Sequence, residues 1–145
     1  SWFATPKWTL SGSYYRGYTK AQSFNSDMLN TSDLVSSSFA LDANYQADKT
    51  TDYGLRLSSP LRVEKGTLSV DFPCGRDNFS DEVYRQTYQA GMKPERREYR
   101  LMAYFNKDLS DNISLRSEVG VRFNPEHENA ANDYRALFGL SWNFN

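Results

Sequence analysis

Alternation of apolar and polar residues constrains this chain more than any other feature. In the closing segment, Tyr134-Arg-Ala-Leu-Phe-Gly-Leu-Ser-Trp-Asn-Phe-Asn145, every second residue from Ala136 to Phe144 is apolar. Arg135, Leu137, Gly139, Ser141 and Asn143 fall on the other side. A period of two belongs to an extended strand, whereas an amphipathic helix needs a period of about 3.6. The same period recurs upstream, so the chain is expected to be all-β.

Eight strands are predicted, near residues 7–18, 37–48, 53–64, 67–74, 83–92, 98–106, 113–123 and 134–145. Turn signals separate them: 47–51, Glu64-Lys-Gly66, 75–78, 108–112 and Asn124-Pro125. Pro60 inside the third strand predicts a bend or bulge. Several strands exceed the roughly 5–6 residues usual in globular sheets and match the roughly 9–11 that cross a bilayer at a tilt. The stretch 19–35 is polar, rich in Ser, Asn and Asp, and is expected to be a long loop.

Composition narrows the function classes. Aromatics make up 15% of 145 residues, which favours β structure. The length suits one domain spanning 1–145. Net charge is -1, so no basic excess argues for nucleic acid. No apolar run approaches the roughly 18 residues of a membrane helix, a criterion blind to alternating strands. Cys74 is the only cysteine and is expected to be a buried thiol, since one cysteine makes neither an internal disulfide nor a metal site. The chain begins at Ser1 with no leader, as in a mature product or a fragment.

The two faces differ in charge. The apolar sides of the second, third, fourth, sixth, seventh and eighth strands carry no charged residue. The opposite sides carry Asp42, Arg56, Arg62, Glu64, Asp71, Glu98, Arg100, Arg116, Glu118, Arg122 and Arg135. In a soluble sandwich or lipid-binding barrel the charged side meets water and the apolar side is the core. In a membrane barrel the apolar side meets lipid and the charged side lines the lumen. The mid-strand cations are all Arg, which pairs bidentately with carboxylates and suits an enclosed network. Aromatics sit near strand ends on the apolar side: Trp8, Phe39, Tyr53, Phe72, Tyr99, Phe105, Phe123, Trp142 and Phe144. Those are the places of interfacial girdles. Both features favour an antiparallel up-and-down transmembrane β-barrel of about eight strands, or the last eight of a larger one, with a lumen charge network. The alternative is a soluble barrel or sandwich binding an apolar ligand or a protein partner.

Residues for catalysis are sparse. The single histidine, His127, lies in Pro125-Glu-His-Glu128 and is expected on a surface loop without function. No second histidine supports a metal, and no Gly-x-Ser-x-Gly elbow supports a nucleophile. The chain is expected to be neither an enzyme nor a cofactor carrier.

The closing segment resembles the C-terminal β-signal of bacterial outer-membrane proteins at Gly139, Trp142 and Phe144. Leu137 stands where that signal is usually polar, and Asn145 adds a residue after the aromatic. The resemblance implies that these three residues contact the barrel-assembly machinery. A second likeness covers residues 36–144. Ser36-Ser-Ser-Phe-Ala-Leu41 and Tyr53-Gly-Leu-Arg-Leu-Ser-Ser-Pro-Leu-Arg-Val-Glu-Lys-Gly-Thr-Leu-Ser-Val-Asp-Phe-Pro73 look like the C-terminal translocator barrel of autotransporters. They are most similar to those with subtilisin-like serine peptidase passengers. That resemblance implies the outer membrane of a Gram-negative bacterium, lipid contact, and anchoring or secretion of a passenger. Any peptidase chemistry would lie upstream, and further segments or subunits would complete the barrel. With the C-terminus on the periplasmic side, strand parity puts 19–35 and 124–133 outside and 47–51 and 107–112 inside. It also puts the long 75–82 turn inside and the tight 64–66 turn outside, against the usual length rule.

Overall fold

Alternation becomes strand register in a computed structural model, which describes residues 2–5 (backbone only), 7–21, 29–77, 79–80 and 82–143. Among them run ten strands, β1 (Trp2–Thr5), β2 (Trp8–Thr19), β3 (Leu29–Thr31), β4 (Leu34–Gln46), β5 (Thr51–Lys65), β6 (Thr67–Arg76), β7 (Val83–Gly91), β8 (Tyr99–Ser110), β9 (Ile113–Phe123) and β10 (Asp133–Trp142). One 3-10 turn, Pro125–His127, precedes β10. Among the described residues no helix is long and apolar enough to cross a membrane.

Strand order corrects one expectation. A seven-stranded sheet runs β1-β2-β4-β5-β8-β9-β10, and a separate three-stranded sheet runs β3-β6-β7. The fourth and fifth predicted strands, now β6 and β7, are therefore not consecutive members of one up-and-down order. β5 pairs with β8 instead, from Thr51↔Lys107 to Ser58↔Arg100. That ladder stops two residues before Pro60, which has no N–H to give. The pairing does not close among the described residues: β1 and β10 are the two edges of the larger sheet. The stretch 19–35, expected as loop, carries β3 and the start of β4.

Connection length now divides by sheet end. Neighbouring strands are antiparallel across β1/β2, β5/β8, β8/β9 and β9/β10. The Gln46 N–H donates to the Lys7 carbonyl at 2.8 Å, which sets β4 antiparallel to β2. The Ala47 N–H donates to the Thr51 carbonyl at 3.0 Å, closing the β4–β5 hairpin. Short turns at 47–50 and 111–112 thus lie at one end, with the β1–β2 turn. The longer connections 20–33, 66–98 and 124–132 leave from the opposite strand ends. Placing β6 and β7 inside a single long connection removes the mismatch of turn lengths that simple strand counting produced.

The chain forms two compact units. The first comprises Ser1–Tyr15, Ser38–Leu61 and Glu95–Asn145. Its register sorts the faces across four strands. Tyr53, Phe105, Ser117 and Phe138 form one row; Leu55, Ala103, Val119 and Ala136 form the next; Leu57, Leu101, Val121 and Tyr134 form a third. Rings pack at both ends of this face: Trp8 on Tyr45 (4.9 Å) and Tyr53 on Phe105 (5.1 Å) near the short turns, and Phe39 on Tyr99 (6.3 Å) towards the long connections.

The second unit comprises Arg16–Ser37 and Arg62–Pro94. Leu29 and Tyr88 both pair with Val70, and Thr31 and Ala90 with Leu68, giving the small sheet an apolar side. Phe72 and Tyr88 pack edge to face at 5.9 Å. Gly66 fits under Leu34, where an added Cβ would come within 2.3 Å of Leu34 Cδ2. Cys74 is exposed, not buried as expected: β6 is exposed from Phe72 to Arg76 and β7 along its whole length, so neither strand has a covered face there.

Candidate functional site

Burial is the reverse of that in a water-soluble domain. Among the described residues no aliphatic or aromatic side chain other than Pro125 is buried, while Ser37, Thr51, Ser59, Arg62 and Glu98 are. Soluble proteins bury aliphatic side chains first and leave charges out. Here Leu55 and Val119 are about half exposed in the middle of their sheet, at 50% and 49%. An apolar face of this extent, free of charge, marks an interaction surface.

The opposite face of the larger sheet holds Asp42, Arg56, Arg100, Arg116, Glu118, Arg122 and Arg135, Glu98 directly precedes β8, and Arg62, Glu64 and Asp71 belong to the second unit. Arg56 Nε donates to Asp42 Oδ1 at 2.5 Å. Arg135 donates to Glu118 across β9 and β10. Arg62 Nη1 donates to Glu64 Oε2 at 2.8 Å, and the Ser37 hydroxyl donates to Glu64 Oε1 at 2.7 Å. Arg62 Nη2 also donates to the Pro94 carbonyl at 2.8 Å. Arg116 and Asp71 form no ion pair among the described residues, and Asp71 Oδ1 is a buried oxygen without a hydrogen bond.

The densest cluster surrounds Glu98. Its side chain is 2% exposed. Oε1 accepts from Arg100 Nε at 2.5 Å and Arg122 Nε at 3.1 Å, and Oε2 from Arg122 Nη2 at 3.3 Å. The Glu126 N–H donates to Oε2 at 2.8 Å. Burial pushes the Glu98 carboxyl up, but the hydrogen bonds from Arg122, Arg100 and the Glu126 amide outweigh it and hold the carboxyl at about 2. Arg122 Nη1 also reaches Asp133 Oδ2 at 3.3 Å. Cross-strand register explains the convergence: Arg100 pairs with Arg122, and Arg122 with Asp133. Gly120 leaves a groove of about 420 Å³ beside Arg100, Arg122 and Arg135. All three guanidiniums already face carboxylates, so the groove is not a vacant anion site.

His127 was expected to be an idle surface residue, but it is half-buried and both ring nitrogens are engaged. The Glu98 N–H donates to Nδ1 at 2.9 Å, and Nε2 lies 3.0 Å from the Leu61 carbonyl oxygen. Its own carbonyl accepts from the Arg96 N–H at 3.0 Å. Sequence spacing gave no signal for this, because the partners lie 29 and 66 residues away. Arg97, whose Nη1 donates to the buried Ser59 hydroxyl at 3.0 Å, was missed for the same reason.

Of the closing-strand residues, Gly139 pairs with Arg116 and Trp142 with Ile113. Gly139 has open space where a Cβ would stand, and Trp142 is exposed on the apolar face. Phe144 lies outside the described residues. Among those residues no group of His, Cys, Asp and Glu is placed to hold a metal ion. Comparison with known protein families, characterised proteins and solved structures finds no match.

Proposed function

We propose that this chain is an integral outer-membrane β-sheet, part of a transmembrane barrel of the translocator type, that anchors or secretes a passenger and performs no catalysis. One observation carries the reading: the apolar face continues from β5 through β8 and β9 to β10 without a charge in its central rows, and it is exposed. Lipid covers such a face at no cost in polar desolvation, and water does not. The aromatic contacts at both ends of the face fit interfacial girdles. Short turns at one end and long connections at the other fit periplasmic and extracellular sides respectively.

The proposed partners are outer-membrane lipid, the assembly machinery at Gly139, Trp142 and Phe144, and further strands. Six reversals of direction separate β1 from β10, so the two edges run the same way. Single-chain bacterial barrels have an even number of antiparallel strands. An odd number of additional strands, from another segment or subunit, therefore completes an antiparallel ring around this sheet. On this reading Asp42, Arg56, Glu98, Arg100, Glu118, Arg122 and Arg135 face the lumen.

The test is cell fractionation followed by electrophoresis with and without boiling. The expected result is membrane association and a heat-modifiable band. A monomer that stays in the aqueous phase without detergent and migrates identically in both lanes supports the soluble ligand-binding reading and overturns this one.

A further inference from the structure

From the hydrogen-bond directions around His127, we infer that the 124–132 connection is a pH-released latch, closed while His127 is neutral and opened by its protonation. A backbone N–H can only donate, so the Glu98 N–H, 2.9 Å from Nδ1, requires that nitrogen to carry no proton. The ring proton then sits on Nε2 and is donated to the Leu61 carbonyl at 3.0 Å. Neutral imidazole satisfies both neighbours in one tautomer. Imidazolium cannot, because its second proton would point at the Glu98 N–H.

The latch holds a strained segment. Asn124, Glu126 and His127 have φ of 50°, 60° and 65°. Left-handed backbone at residues with side chains is strained and persists only where the surroundings hold it. Here the holding contacts run to the segment 96–98. The Arg96 N–H bonds the His127 carbonyl, the Glu126 N–H bonds the Glu98 carboxylate, and Asn124 Nδ2 bonds the Arg97 carbonyl at 3.2 Å. Losing the Nδ1 acceptor removes a further contact, the bond from the Glu98 N–H, and leaves the strain in place.

Charged residues adjoin the imidazole's partners in sequence and through the Glu98 cluster. Its own turn contributes Glu126 and Glu128, and the segment before β8 contributes Glu98, Arg96 and Arg97. Arg100 on β8 and Arg122 on β9 bond the Glu98 carboxylate, and Asp133 on β10 bonds Arg122. On β5 the contact is the Leu61 carbonyl, with Arg62 next in sequence. The Glu98 carboxyl is held low by its arginine and amide hydrogen bonds, so the acceptor nitrogen of His127 is the group whose protonation breaks a contact.

Hydrogen exchange on the folded full chain in detergent tests this. After correction for intrinsic rates, protection of the Glu98 and Arg96 amides should fall about tenfold from pH 8 to pH 5. His127→Gln should abolish that dependence. Equal protection at both pH values, or an unchanged dependence in His127→Gln, overturns the latch. If the variant does not fold, nitrogen NMR of the wild-type imidazole decides: a neutral Nε2–H tautomer supports the latch, and a neutral Nδ1–H tautomer overturns it.

Discussion

Tyr104 lies across Gly54. The two are direct cross-strand partners on the charged face, and a Cβ added at Gly54 would stand 1.9 Å from Tyr104 Cζ. The glycine is there for close approach: the ring fills the space a side chain would take. Gly54→Ala should displace the ring and destabilise the folded protein by about 1–2 kcal/mol. In Tyr104→Ala the obstacle is gone, so adding Gly54→Ala should cost little more. A double-mutant cycle by urea unfolding in detergent measures this coupling. Additive effects would show that the ring and the glycine are independent.

The face assignment makes an opposed pair of predictions. Val119 is exposed between Ala103 and Ala136 on the apolar rows, whereas Arg116 is exposed on the other face without an ion pair. A cation at mid-membrane on the lipid side costs roughly 2–4 kcal/mol. Val119→Arg should therefore impair folding into bilayers, and Arg116→Leu should leave it nearly unchanged. Folding yield in vesicles, read from the heat-modifiable band, checks both. The reverse outcome would place lipid against the charged face.

Glu98 links the cluster to pH. Its carboxyl is held at about 2 against an ordinary value of 4.5. A folded-state value below the unfolded one stabilises the protein at pH above 4.5, and the contribution disappears as pH falls from there towards 2. Its full size is on the order of 3 kcal/mol. Glu98→Gln should lower stability at pH 7 and leave it close to wild type near pH 2. Unfolding of both proteins in detergent at pH 7, 4.5 and 2.5 tests this. A wild-type stability that stays flat between 4.5 and 2.5 would show that the carboxylate contributes nothing.

Local order was legible in the sequence, and adjacency was not. The alternation that puts Leu55, Leu101, Ala103 and Val119 on one face survives as direct pairing in the structure. Side chains on one strand are fixed relative to each other by the period alone, which is why Glu98 with Arg100 and Arg62 with Glu64 could be grouped in advance. Alternation does not say which strand lies beside which. Residues 67–74 have the same period as the others, and 83–92 a weaker one interrupted at Gln86, yet nothing in either says that β5 chooses β8 over β6. That choice is made by contacts far apart in sequence, as are the bonds from His127 to Leu61 and Glu98. The brevity of β3 also hid it, because three residues are too few to display a period.

The β6–β7 pair separates two architectures. If both strands cross the bilayer, as simple up-and-down counting requires, shortening them removes two walls of the barrel. If they belong to one long outer connection, shortening them removes only an appendage. Leu68 and Ala90 are direct partners, so a two-residue turn can join them in place of 69–89. The excised part supplies no strand pairing to the seven-stranded sheet, because β5 meets β8 along Thr51–Ser58 without it. Membrane insertion and the heat-modifiable band should therefore survive the deletion. Protease access from outside intact cells should be lost at Arg76 and Arg85, which leave with the excised segment, and be retained in the 124–132 connection. A deletion variant that accumulates only as unfolded, detergent-insoluble chain would return β6 and β7 to the bilayer.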